Sequence, residues 1–185
     1  GTDTKGKENV AIGNGALGTQ NFSTLTNAFN TAVGSSAGYA ITTGIENTLI
    51  GAIAGDALTD ADYNVAVGKQ ALTADTQGSR TTAVGFGALQ AQNFSTATDS
   101  NNTAVGFWAG KEVTTGMKNT FIGTNAGDAT DDGASNVAVG YLALSANCGD
   151  DNTAIGESAL EACTGSNNTA GGRRAGEAQT DGSNN

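Results

Sequence analysis

One phrase recurs along the whole chain, Asn-Thr-Ala-Val-Gly-x-x-Ala-(Leu/Gly), and its central glycine stands at Gly13, Gly34, Gly51, Gly68, Gly85, Gly106, Gly123, Gly140, Gly156 and Gly172. The spacings are 21, 17, 17, 17, 21, 17, 17, 16 and 16 residues. A short fixed period means that each repeat is one small unit, unable to bury its own apolar face unless it stacks on its neighbours. A chain of 185 residues would otherwise allow one or two globular domains. The repeat makes it a single array over residues 9–185, with 1–8 as a lead-in segment. A longer period lies over the short one: residues 9–80 match 81–152 with a shift of 72.

Counting from each key glycine, the fourth residue before it is an Asn column: Asn9, Asn30, Asn47, Asn64, Asn102, Asn119, Asn136, Asn152 and Asn168, with Thr81 as the exception. Thr or Val stands three before, Ala two before (Leu49 and Phe121 excepted), and Val or Ile one before except at Gly171. Ala stands three after in all ten repeats. Thr-Ala-Val favours a short strand, whereas the recurrent Gly and Asn and the missing 3.6-residue period argue against helix. The stretch x-x-Ala-(Leu/Gly) is expected to form a second short strand, with Gly at the corner permitting positive φ or a close backbone approach. The absence of Pro suits a backbone whose N–H groups donate to a ladder. Stacked coils rise about 4.8 Å each, so ten make a rod roughly 45–50 Å long.

Strand side chains alternate between faces, so the Thr/Val and Val/Ile columns share one face and Ala takes the other. The apolar Val/Ile face is expected inside the coil. A bare Ala face then fits close packing against another chain, although small residues also fit the narrow interior of a thin coil. In a stack, each Asn side chain lies above the next and can bond along the axis, or cap a turn, or both.

The phrase resembles the head repeats of trimeric autotransporter adhesins, through Val10-Ala11-Ile12-Gly13 and Val65-Ala66-Val67-Gly68. It is also similar to the repeats of bacterial and phage tail-fibre-like proteins, most fully in Asn152-Thr153-Ala154-Ile155-Gly156-Glu157-Ser158-Ala159-Leu160. The resemblance covers residues 9 to about 180. It implies an all-β, left-handed parallel β-solenoid (a β-roll) of about ten coils, wound as an intertwined homotrimer. The period of 16 or 17 is longer than that of the adhesin heads.

Other residues offer less. Cys148 and Cys163, the only two cysteines, fall at nearly the same place on successive coils. One coil rise lies within the Cα separation of about 4.4–6.8 Å that a disulfide accepts. The expected staple between coils implies an oxidising, extracellular setting; an interchain bridge or two idle thiols are the alternatives. The four-residue insertions that stretch two spacings to 21 bring Asn21-Phe22-Ser23-Thr24 and Asn93-Phe94-Ser95-Thr96 to one side of the rod. These are candidates for surface contact or glycan attachment, against a plain loop whose Phe tucks into a groove. Asp56, Asp60 and Asp62, the related Asp128, Asp131 and Asp132, and Asp150 and Asp151 offer oxygen ligands for Ca²⁺; solvated surface charge explains them better, and no other cofactor is called for. Phe107 and Trp108 follow Gly106 directly and are candidates for a groove, an interface or sugar stacking.

With a formal charge of −10, the chain suits neither nucleic acid nor anionic membranes, and no stretch is apolar enough to span a bilayer. Without His, a nucleophile elbow or a phosphate loop, catalysis has little support. The expectation is a non-catalytic structural or adhesive shaft of an extracellular fibre, filament or virion fibre. Its partners would be copies of itself, side by side as a trimer or end to end as a polymer, with a cell-surface glycan or protein as a further candidate. Ser183-Asn184-Asn185 stops where the next Thr-Ala-x-Gly is due, as in a segment of something longer. The alternatives are a passive spacer whose binding tip lies elsewhere, and an ice-binding solenoid using the Thr column. Against the latter, Val10, Val65 and Val137 interrupt the column, and Thr shares its face with residues expected inside.

Overall fold

A computed structural model describes residues 4–185 of the chain. Its first strands are β1 Gly6–Lys7, β2 Val10–Ile12, β3 Thr26–Asn27, β4 Thr31–Val33, β5 Thr48–Ile50, β6 Val65–Val67 and β7 Gly78–Ser79. They are followed by β8 Thr82–Val84, β9 Thr98–Asp99, β10 Thr103–Val105, β11 Thr120–Ile122, β12 Val137–Val139, β13 Thr153–Ile155 and β14 Thr169–Gly171. The ten three-residue strands form one parallel sheet in the order β14-β13-β12-β11-β10-β8-β6-β5-β4-β2. Equivalent positions stack in register, as in Thr31↔Thr48, Ala32↔Leu49 and Val33↔Ile50. The chain is a parallel β-solenoid of about ten turns.

The two insertions each add a rung. β1 pairs with β3, and β7 with β9, as separate two-stranded parallel sheets. The end of the lead-in segment thus enters the stack through Gly6 and Lys7.

The second strand expected in x-x-Ala-(Leu/Gly) is instead a run of turns. Its cause lies in the backbone. The second and fourth residues after the key glycine sit in the left-handed region even where they are not glycine, as at Ile53 (φ 51), Trp108 (φ 55), Leu72 (φ 54) and Leu89 (φ 49). A third such column, five before the key glycine, contains Phe29, Glu46, Tyr63, Arg80 and Lys118, all with φ between 51 and 60. Left-handed backbone costs a non-glycine residue of order 1 kcal/mol, so the stacking must hold these corners in place. The key glycine itself meets both expectations. Gly34 has φ +139, and a Cβ there would stand 2.4 Å from the carbonyl oxygen of Gly51 in the next coil.

The two strand faces are reversed from expectation. The Ala column is the interior: Ala32, Ala66, Ala83, Ala104, Ala138 and Ala154 are all 0% exposed. The Val/Ile column faces outward, with Ile12 60% and Ile155 51% exposed, and the Thr/Val column beside it is mostly half-buried. The coil is too thin for two β-branched columns inside. Its core is a close stack of Ala two before and Ala three after the glycine, with Leu17, Leu72, Leu89, Leu144 and Leu160 four after.

Where a larger residue replaces the inward Ala, glycines make room. Leu49 packs where Cβ atoms at Gly38 and Gly55 would stand 2.7 and 2.8 Å from its methyls. Phe121 likewise fills the space over Gly110 and Gly127, where a Cβ would approach the ring to 2.8 and 2.5 Å.

Candidate interaction surfaces

From Asn30 onward the Asn column is buried and does two jobs at once. Each Oδ1 accepts the backbone N–H of the equivalent Asn in the following coil: Asn47 to Asn30 at 2.9 Å, Asn64 to Asn47 at 3.0 Å, Asn136 to Asn119 at 2.9 Å and Asn168 to Asn152 at 3.0 Å. Each Nδ2 donates to a turn carbonyl of that coil: Asn30 to Gly44 at 2.7 Å, Asn47 to Ala61 at 2.8 Å, Asn119 to Gly133 at 2.8 Å. The column starts at Asn9, whose Oδ1 accepts from Asn30 N at 2.9 Å, and Asn102 and Asn152 take their places in it. Amide-to-amide bonds along the axis occur only in places, as between Asn152 Nδ2 and Asn136 Oδ1 at 3.1 Å. These residues are therefore internal supports, with no surface to offer a partner.

At Thr81, where the Asn is missing, other buried polar groups restore the chain of bonds. Thr81 Oγ1 and Ser100 Oγ lie 2.6 Å apart. Gln92 Nε2 donates to Thr81 Oγ1 at 3.1 Å and to Asp75 Oδ2 at 2.6 Å, and Gln92 Oε1 accepts from Asn102 Nδ2 at 2.8 Å. The other Asp75 oxygen accepts the N–H groups of Gly78 and Phe94 at 3.0 and 3.1 Å. Burial outweighs these bonds and raises the Asp75 carboxyl above its ordinary value. Sequence reading missed this cluster. Its signal was the joint appearance of the insertion and the one Thr in the Asn column.

The two cysteines lie on adjacent coils as expected, but both are free thiols in the core. Their sulfurs meet different groups: Cys148 Sγ lies 3.2 Å from Thr130 Oγ1, and Cys163 Sγ accepts from Asn168 Nδ2 at 3.4 Å. The expected staple is thus not formed in this structure. Burial also raises the Cys148 thiol, with the nearby Cys163 a smaller contribution in the same direction.

Of the insertion residues proposed for surface contact, Phe22 and Phe94 are only 7% exposed. They anchor their loops into the rod, as an apolar side chain beside the core should. Asn21 and Asn93 stay exposed. The acidic groups are dispersed in local bonds: Asp56 accepts from Thr73 Oγ1, Asp62 from Ile45 N, Asp128 from Asn125 Nδ2 and Asp131 from Thr114 Oγ1. Among the described residues no three acidic or other ligating side chains converge to hold a metal ion.

What remains outward is the strand face. Val/Ile and Thr/Val alternate with no charge along the ten strands, beside corners that carry Lys69, Glu157 and Arg173. Phe86 and Phe107 continue the apolar surface at its edge, their rings stacked 5.4 Å apart. No family model, curated protein or solved structure matches the chain.

Proposed function

We propose that this chain is a non-catalytic shaft segment of an extracellular fibre, in which copies of the solenoid pack together, three to a bundle, through the outward strand face. The observation behind this reading is the uncharged Val/Ile column exposed along the rod, on a chain with a net charge of −10. A contiguous exposed apolar face of more than a few hundred Å² marks an interaction surface. A second copy is the natural occupant, because it presents the same features at the same coil spacing. A rod with one such edge closes around an axis as a ring of copies. The resemblance to adhesin-head and tail-fibre repeats is consistent with a homotrimer, and mechanical extension with surface attachment is the role that follows.

The test is the mass in solution by light scattering, with a Val84→Lys/Val105→Lys variant alongside. A particle of three times 18.2 kDa that the variant reduces to single chains is the expected result. A wild-type monomer would overturn the reading. An open series of large species would replace the closed trimer with a filament.

One observation favours a second reading. Because the Val/Ile column is outside, the Thr column beside it is outside too, which removes the main objection to ice binding. Thr31, Thr48, Thr82, Thr103, Thr120, Thr153 and Thr169 all take this position. A monomer with thermal hysteresis would establish this alternative.

A further inference from the structure

Seven residues past the key glycine the side chain enters the core. Leu58, Asp75, Gln92, Val113 and Thr130 hold this place, and all are 0% exposed. Polar members of the column touch across one coil step: Gln92 Nε2 reaches Asp75 Oδ2 at 2.6 Å, and Thr130 Oγ1 lies 3.2 Å from Cys148 Sγ. Cys148 stands eight past Gly140, and its contact with Thr130 keeps it in the column. Cys163, seven past Gly156, is the next member. The two thiols are thus consecutive neighbours in one interior row.

The backbone fixes their spacing. Leu144 N donates to Ala159 O at 3.0 Å, and Gly149 N to Gly165 O at 3.2 Å, so the two coils are joined before and after the thiols. At one coil rise, about 4.8 Å, the Cα atoms fall within the separation of about 4.4–6.8 Å that a disulfide accepts. Burial raises the Cys148 thiol, and Cys163 adds to this through space, as a near neighbour does.

We infer that Cys148 and Cys163 are a redox couple, free in the reduced rod and closing as an intrachain bridge between adjacent coils when a small disulfide such as oxidised glutathione takes their electrons. One cysteine thiolate attacks a glutathione sulfur and the first glutathione leaves. The other cysteine then attacks the mixed disulfide at the protein sulfur and expels the second glutathione. The two thiol protons go to the two released glutathiones. The protein pair is oxidised by two electrons, and the glutathione disulfide is reduced by two.

The surroundings favour the closed bridge over the mixed disulfide. Both sulfurs lie in a core of close-packed Ala and Leu, which has no room for a glutathione adduct. Closing the bridge also strands no buried donor. Asn168 Nδ2, which points at Cys163 Sγ, donates to Asn152 Oδ1 at 3.1 Å and to Gly182 O at 2.7 Å as well. The Thr130 hydroxyl keeps the bridged sulfur as a weak acceptor. With 2% and 0% exposure, the thiols meet the oxidant only when the coil opens locally. An oxidising medium therefore fastens this joint slowly, and a reducing one releases it. The couple lies inside the rod and does not depend on the fibre reading.

The test equilibrates the intact chain with defined mixtures of reduced and oxidised glutathione, in buffer and in urea that unfolds it. Equilibrium is approached from both the reduced and the oxidised chain, and acid-quenched samples are read by intact mass. The bridge appears as the loss of two hydrogens from a single chain with no glutathione added. Closing a loop between cysteines fifteen residues apart constrains the unfolded chain and hardly affects the folded one. The equilibrium constant for the bridge is therefore expected to be about tenfold or more higher in buffer than in urea. A constant no higher in buffer than in urea would overturn the proposal. So would a native product consisting only of unreacted thiols, glutathione adducts or disulfide-linked dimers.

Discussion

Gln92 Nε2 donates to Asp75 Oδ2 at 2.6 Å across one coil step, while its Oε1 accepts from Asn102 at 2.8 Å. One side chain thus bridges the interrupted Asn column, holding a buried carboxylate on one side and the resumed ladder on the other. The rod continues through its inserted coil because these groups satisfy one another.

That carboxylate gives the rod a pH dependence. Burial raises Asp75 above the ordinary 3.8, and burial does the same for Asp62 and Asp128. A raised folded value means that the folded state holds its proton where the unfolded chain has released it. The associated stability is fully present below 3.8 and is lost as pH rises through the folded value. The urea midpoint is therefore expected to fall from pH 4 towards neutrality. Asp75→Asn, which keeps an acceptor for Gly78 and Phe94 and loses a bond to Gln92 at all pH values, should show a shallower fall. Parallel slopes for the two proteins would show that Asp75 is not responsible.

Removing one rung of the Asn ladder should cost more than a surface substitution. Asn47→Ala leaves Asn64 N–H without Asn47 Oδ1 and Ala61 C=O without Asn47 Nδ2, both in the interior. Two orphaned buried groups imply a loss of about 2–6 kcal/mol, measured by urea unfolding. Asn21→Ala, in an exposed loop, should stay within about 0.5 kcal/mol of the parent.

The interior obeys a volume rule between neighbouring coils that a double-mutant cycle can test. Phe121 occupies space left by Gly110 and Gly127. Phe121→Ala should cost about 3–5 kcal/mol, and Gly127→Leu alone should clash with the ring. Combined, they rebuild the Ala–Leu pairing found at Ala66 and Leu72 or at Ala138 and Leu144. A left-handed backbone is no obstacle, since Leu144 holds φ 50 at the equivalent position. The double variant is expected to be more stable than either single one by thermal melting.

The thiols should be present but slow. Ellman titration in denaturant is expected to return two per chain. In the native rod both sulfurs are buried, and the Cys148 thiol is raised by desolvation. Because the thiolate is the reactive form, labelling at neutral pH should follow the opening of the rod. A rate that denaturant leaves unchanged would show the thiols to be accessible.

Much of the architecture was legible in the residues. The interval between key glycines dictates the coil length. Thr-Ala-Val dictates the strand, and the uniform columns dictate a parallel, in-register stack because only that register aligns like with like. Gly34 was readable as a corner, since only a residue without Cβ tolerates both its φ and its neighbour's carbonyl oxygen. The Asn column was readable as a ladder, although its principal bond runs from backbone N–H to side-chain oxygen.

The sequence by itself could not decide which strand face points inward, and the Val/Ile face expected inside is the one that faces out. Both faces are uncharged and alternation alone treats them equally, so Ala32 and Val33 were each eligible for the core. Tertiary structure decided it through width. The left-handed corners two and four residues past the glycine bring the opposite wall so close that only Ala fits beneath the strand, except where Gly38, Gly55, Gly110 and Gly127 admit Leu49 and Phe121. The β-branched columns are thereby turned outward, and the surface left for a partner follows from the thinness of the coil.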